Sequence, residues 1–225
     1  MKKNLKEMAV RVILLLAGLV IAHLGVTLFL LADLGADPFN VLIQGLFRTF
    51  SKQSVLAFLT HGYTHVAICF LIIIVLLIVD RSYIKIGTIL CMVCGGPIID
   101  FFSLILAPIF ISMVFVMKVI MLGLGCVILA CGMTIVIKSE AGTGPNDLVA
   151  VVISDKWKKK FGLIRILVDA AFVLVGFLMG GVVGLGTIVC AALVGPVAGV
   201  VLPYSEKLVN KVLGVILRNE RKDNK

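Results

Sequence analysis

Six long apolar runs dominate the chain, separated by short polar stretches. They cover residues 12–32, 62–79, 86–107, 112–137, 162–179 and 185–202. Each is close to the roughly 20 residues that an α-helix needs to cross a bilayer. Two shorter segments, 39–50 and 147–154, are read as half-helices, since 147–154 would rise only about 12 Å at 1.5 Å per residue. The pattern predicts an all-α membrane protein with six transmembrane helices and short half-helices after the first and fourth.

Composition excludes a soluble globular protein. Of the 225 residues, 61% are hydrophobic and 15% are charged, whereas soluble domains have roughly 45–50% and 25%. The net charge of +9 fits loops that face anionic lipid, so the predicted partner is the lipid bilayer and not nucleic acid. With a cytoplasmic N-terminus, every basic residue except Arg48, Lys52 and Lys118 falls on the cytoplasmic side. The positive-inside rule then predicts an inner-membrane protein with both termini in the cytoplasm.

The chain also repeats itself. Residues 10–41 align with 117–148 without a gap, pairing Gly18 with Gly125, Gly25 with Gly132, Gly35 with Gly142 and Pro38 with Pro145. Residues 86–97 align in the same way with 185–196. Three spans per half is an odd number, so the second half must enter the membrane from the opposite side. We therefore predict one integral membrane domain made of two inverted three-helix repeats, 1–110 and 111–203, followed by a basic cytoplasmic tail, 204–225.

The turns after the first and fourth spans are the first candidate site. Glycine and proline end a helix there and leave backbone groups unpaired, which is tolerated at membrane depth only inside protein or beside an aqueous cavity. The helix-breaking residues are Gly35, Pro38, Gly142, Gly144 and Pro145. The candidate substrate-binding or proton-binding residues at these turns are Asp33, Asp37, Asn40, Glu140, Asn146 and Asp147. The alternative is a pair of ordinary turns at the membrane surface with solvated acids.

Two further places in the spans carry ionisable residues. Asp100 lies within a long apolar stretch, where a carboxylate is costly and calls for a function; the alternative is an acid that reaches the outer surface. Arg165 and Asp169 stand four residues apart near the start of the fifth span, so they can pair along one helix face. We expect this to be a structural pair, with Arg165 extending towards the cytoplasm.

The order and spacing of these motifs resemble the YczE/YyaS/YitT group of bacterial integral membrane proteins. The resemblance rests on the turn from Asp33 to Pro38, its echo from Glu140 to Asp147, and the Gly87-Thr88 and Gly96-Pro97 elements, and it covers roughly residues 10–203. It implies a bacterial cell-membrane location. It implies no biochemical activity.

A small secondary transporter or permease for a cationic or small polar solute is the predicted function, with proton coupling as one option. The alternative is a non-transporting accessory or regulatory membrane protein. The sequence contains no phosphate-binding loop, nucleophile elbow or zinc-protease element, so we expect no enzyme, no cofactor and no metal. A chain this short could enclose a solute path as a homodimer.

Overall fold

The computed structural model of the chain describes residues 5–50 and 61–223. These residues form eight α-helices and one 3-10 turn, with no strand. The helices are α1 Leu5–Ala32, α2 Pro38–Phe50, α3 His61–Asp80, α4 Ile86–Ile111, α5 Phe115–Lys138, α6 Pro145–Trp157, α7 Phe161–Leu178 and α8 Leu185–Asp223. All-helical structure is what a bilayer requires of a chain this apolar, because a helix satisfies its backbone groups internally.

Six of the helices are long and apolar enough to cross a membrane: α1, α3, α4, α5, α7 and α8. They match the six predicted spans. The other two, α2 and α6, have 13 residues each and are therefore only about 20 Å long. Both follow a long helix after a glycine-containing turn, so the prediction of short helices after the first and fourth spans is confirmed.

The bundle is built around a close crossing of α1 and α5. Glycines on both helices let the backbones touch: a Cβ atom on Gly18 would lie 3.0 Å from the carbonyl oxygen of Gly132, and one on Gly25 would lie 2.6 Å from that of Gly125. Lipid tails supply little hydrophobic drive for helix association, so such crossings depend on van der Waals contact between small residues. The four glycines that the repeat aligned therefore have a packing role, although each contacts the other glycine of the partner helix and not its own repeat equivalent.

The two turns that precede the short helices share one backbone conformation. Asp33 and Glu140 both adopt left-handed φ angles, 53° and 57°, and the glycines two residues later have φ of 137° and 141°. Each turn also bonds to the start of a long helix, with Gly186 N donating to Leu34 O at 2.8 Å and Gly87 N donating to Ala141 O at 2.9 Å. Only glycine adopts φ near 140° without strain, which explains Gly35 and Gly142.

The predicted tail begins inside a helix. α8 continues without interruption from Leu185 to Asp223 through Pro196 and Pro203. Beyond Pro203, Ser205 and Thr134 share a hydrogen bond of 2.8 Å between their hydroxyl oxygens, and Val209 is buried. The first part of the tail therefore packs on α5 as part of the bundle.

Candidate functional site

A cavity of about 280 Å³ lies inside the bundle, where the N-terminal ends of α2 and α6 both reach its wall. Apolar and small side chains of α1, α4 and α5 form much of the lining. Its polar lining includes His23, Asp37, Asn40, His65, Asn146, Asp147 and Arg165. A larger groove of about 510 Å³ between α7 and α8 is almost wholly apolar, so it offers little that would select a polar solute.

α2 brings Asp37 and Asn40 to the cavity. Pro38 opens the helix, a position where its missing N–H costs nothing. The carboxylate of Asp37 then caps the first turn, accepting from the backbone N–H of Phe39 at 3.1 Å and of Asn40 at 3.2 Å. The Asn40 amide nitrogen also donates to it at 2.5 Å. These bonds hold a carboxylate and an amide rigidly at the cavity wall.

α6 presents its first turn differently. Its N-cap is Gly144, which has no side chain to cap the helix. Gly144 is the residue that the repeat aligns with Asp37. The Asn146 side chain donates instead to the Asp147 carboxylate at 3.1 Å. Asp147, two residues inside the helix, projects towards the cavity and meets a cation from α7.

That cation is Arg165, which is only 7% exposed. Its Nη1 donates to Asp147 Oδ1 at 2.5 Å and its Nε donates to Asp169 Oδ2 at 2.9 Å. Arg165 thus pairs with Asp169 as the spacing along α7 predicts, and its side chain is buried inside the bundle. A guanidinium can stay buried here because two carboxylates compensate for the water it loses. Its second partner lies on another helix and could not be found from spacing along α7.

Asp33, Glu140 and Asp100 do not reach the cavity. Asp33 and Glu140 are exposed at the left-handed positions of the two turns, and the Glu140 carboxylate pairs with Arg11 Nη1 at 3.0 Å. Asp100 is exposed on the outer face of α4. The sequence candidates therefore divide in two: the structure brings Asp37, Asn40, Asn146 and Asp147 together, and it places the other three acids elsewhere.

Two histidines complete the cavity wall and were not among the sequence candidates for the site. The Nδ1 of His23 lies 2.8 Å from Leu19 O, and the ring of His65 meets Phe39 edge-on at 5.4 Å between centroids. Among the described residues no group of three or more His, Cys, Asp or Glu side chains could hold a metal ion.

The fold defines a class: a multi-pass, all-helical membrane protein with a polar cavity between two short helices. The profile of a family described as "Family of unknown function (DUF6198)" matches residues 9–203. The chain belongs to this family.

Comparison with individual proteins agrees with that assignment. The chain is 30% identical over 206 residues to "Uncharacterized membrane protein YczE" of Bacillus subtilis (strain 168), covering 91% of each chain. It is 27% identical over 191 residues to "Uncharacterized protein YyaS" of the same organism, covering 84% of this chain and 91% of the relative. An "Uncharacterized protein" of Haemophilus influenzae is 28% identical over 190 residues. No solved structure gives a significant match. The predicted relationship to YczE and YyaS is confirmed.

Proposed function

We propose that this protein is a small secondary transporter or permease of the bacterial inner membrane. The observation that carries the proposal is the meeting of two short-helix N-termini in one polar cavity. Interrupted segments at corresponding positions of two halves are typical of transporter binding sites. Asp37, Asn40, Asn146 and Asp147 would contact the solute, and His23 and Arg165 would complete its surroundings.

Two inverted three-helix repeats would supply the moving parts. Their support is the shared conformation of the two turns and the matching bonds from Gly186 to Leu34 and from Gly87 to Ala141. The short helices also lead away from the cavity to different neighbours. At the C-terminal end of α2, Arg48 Nη1 donates to Gly180 O in the turn after α7 at 2.8 Å. At the C-terminal end of α6, Lys156 Nζ donates to Val79 O at the end of α3 at 3.4 Å. Rocking of one half against the other would expose the cavity to each side in turn.

Charge favours a cationic solute. At the cavity, one guanidinium, that of Arg165, is accompanied by the carboxylates of Asp37, Asp147 and Asp169. The cluster is therefore negative overall in a region of low dielectric, where an uncompensated charge is costly. A small cation would lower that cost, and so would protons, which keeps proton coupling within the proposal.

An ion pair at one end of the bundle offers a gate. Arg11 on α1 joins Glu140 after α5 at 3.0 Å. Their repeat equivalents are Lys118 and Asp33, and no ion pair joins these two in the part of the chain that the structure describes. In the proposed cycle the pair from Lys118 to Asp33 forms when the pair from Arg11 to Glu140 opens.

Uptake into proteoliposomes tests the proposal. The purified protein is supplied with a panel of inorganic cations, amines and amino acids, and we expect at least one to accumulate above empty liposomes. The Asp37→Asn variant should reduce that uptake about tenfold or more, because a hydrogen bond to a charged group contributes about 1.5–3 kcal/mol. Asparagine also caps helices well, so this substitution removes charge with little effect on α2.

Asp155→Asn is the matched control, since Asp155 lies on α6 but is exposed and outside the cavity. Equal loss in both variants would contradict a role for the cavity. The Asp100→Asn variant tests the carboxylate that the sequence analysis singled out. Loss of uptake in this variant would show that Asp100 has a role in transport although it lies outside the cavity.

The accessory or regulatory alternative has one observation in its favour. Asp33, Asp100 and Glu140 are exposed, as that reading expects of acids at the membrane surface. If no solute of the panel moves and the protein instead copurifies in stoichiometric amounts with another membrane protein, the alternative replaces the transporter.

Both termini are proposed to lie in the cytoplasm, on the strength of the basic residues; Lys52 among the exceptions lies outside the described residues. A fluorescent protein that matures only in the cytoplasm, fused after Lys225, should be bright. Alkaline phosphatase at the same point, which needs the periplasm, should be inactive. The reverse pattern would overturn the orientation.

A homodimer and the absence of enzymatic activity stay predictions. The mass of the protein in detergent or nanodiscs, measured by light scattering, decides the first of these. Large exposed apolar side chains such as Phe70, Leu77 and Leu104 cover α3 and α4, and either lipid or a second copy can cover them.

A further inference from the structure

Arg165 is divided between two carboxylates on different helices. Its Nε contacts Asp169 Oδ2 at 2.9 Å, and its Nη1 contacts Asp147 Oδ1 at 2.5 Å. Only Asp147 lines the cavity; Asp169 lies behind it and is fully buried. The guanidinium therefore connects a carboxylate that a solute could reach with one that it could not.

Asp169 could accept a second hydrogen bond from this guanidinium. Its second carboxylate oxygen, Oδ1, is buried and has no hydrogen-bond partner among the described residues. Buried polar atoms are seldom left unpaired. An arginine can bond both oxygens of one carboxylate through two parallel N–H groups, and a small shift of Arg165 away from Asp147 would allow that arrangement. The unpaired Oδ1 of Asp169 is therefore an alternative acceptor for the guanidinium.

The contact at Asp147 also shows what that carboxylate accepts. In this structure it holds a planar, positively charged group with N–H donors, on the cavity wall beside Asn146. The Arg165 side chain occupies the position as a tethered cation. A free cation of the same chemistry can take that position if Arg165 moves onto Asp169.

The charges around the cavity disfavour an anion. Its negative charge would face Asp37 and Asp147, and Arg165 already has two carboxylate partners. Like charges in a low-dielectric cavity repel strongly. The cavity, at about 280 Å³, is also just below the roughly 300–1,000 Å³ typical of sites for drug-sized ligands. A compact cation fits both constraints.

We propose that the cavity binds a small organic cation with N–H donors, a guanidinium or a primary ammonium, at Asp147, and that the cation displaces Arg165 onto Asp169. This inference rests on the proposed function and names the solute class and the exchange that accompanies binding. Return of Arg165 to Asp147 would expel the cation, so the arginine acts as an internal competitor. No covalent bond changes, and the net charge of the site becomes less negative by the charge of the cation.

Binding of guanidinium and methylammonium to the purified protein in detergent tests the exchange. Dissociation constants are measured by calorimetry at millimolar concentrations, with sodium chloride of equal ionic strength as the reference. The informative variant combines Arg165→Gln with Asp169→Asn. It removes the competitor together with its buried partner, so no new unpaired charge is created at Asp169, and it leaves Asp147 in place. Asp155→Asn is again the matched control.

We expect the double variant to bind guanidinium about tenfold or more tightly than the unmodified protein, because the competing charge-assisted hydrogen bond is gone. Asp147→Asn should abolish binding, and Asp155→Asn should leave it unchanged. In proteoliposomes the double variant should transport more slowly despite its tighter binding, since nothing expels the cation.

The opposite sign overturns the inference. If the double variant binds more weakly, Arg165 contacts the solute directly and does not compete with it. Binding of sodium but neither organic cation would overturn the solute class. Uptake of an anion or a neutral solute, with no cation binding, would overturn the exchange while leaving the transporter proposal standing. The absence of any uptake by the unmodified protein would contradict the transporter proposal itself.

Discussion

Replacing Arg165 by methionine is expected to destabilise the folded protein by about 3–5 kcal/mol, the usual cost of removing one partner from a buried ion pair. Arg165 is 7% exposed and Asp169 is fully buried, so the substitution would leave Asp169 charged, buried and unpaired. Asp147 would lose its cation at the same time. Methionine keeps the length of the aliphatic stem, so the loss reports on charge more than on packing.

Thermal and denaturant unfolding in detergent, followed by circular dichroism, measures this effect. Arg81→Met is the control, because Arg81 is exposed in the turn after α3 and surface substitutions usually change stability by less than about 0.5 kcal/mol. Adding Asp169→Asn to Arg165→Met should recover part of the loss, since it removes the unpaired charge. Equal stability of Arg165→Met and Arg81→Met would show that the pair is not buried as described.

A second large effect is expected at the crossing of α1 and α5. In Gly132→Ala the new Cβ would lie 2.6 Å from Gly18 O and would also collide with the backbone of Ala22. Backbone atoms of a helix cannot move aside without separating the helices, so we expect a loss of about 1–3 kcal/mol, the range for overpacked cores. The unfolding measurement is the same.

Gly123→Ala is the matched control on the same helix. A Cβ on Gly123 would meet nothing within 4 Å, and exchanging glycine for alanine within a helix generally stabilises it, by up to about 1 kcal/mol. The two substitutions are chemically identical and should differ in sign. If Gly132→Ala is as stable as Gly123→Ala, the two helices do not touch at this crossing.

Much of the fold followed from the sequence because the membrane leaves few options. Runs of apolar residues predicted the six long helices, and the turns after α1 and α5 predicted α2 and α6 at the positions where they occur. The site was only partly predicted. Asp37, Asn40, Asn146 and Asp147, four of the sequence candidates, line the cavity, since a helix-breaking turn places the residues just after it at a helix N-terminus.

Other residues were beyond the reach of the sequence for a physical reason. A hydropathy pattern shows where along a transmembrane helix a residue lies. It does not show whether the side chain faces the bundle interior or the lipid. Asp100 therefore looked like the deepest carboxylate, yet it is exposed on the outer face of α4. The same limit applied to the start of the tail, whose Ser205 contacts Thr134 on α5.

Sequence alone determined that this is a six-span helical membrane protein with two interrupted segments, because backbone hydrogen bonds cannot be left open in lipid and because glycine, proline and polar residues together mark the turns after α1 and α5. The tertiary structure decided which charges meet. Arg165 pairs with Asp147 as well as with Asp169 because the rotation and crossing of α6 and α7 bring them together. That geometry depends on packing between helices, and no local pattern along the chain encodes it.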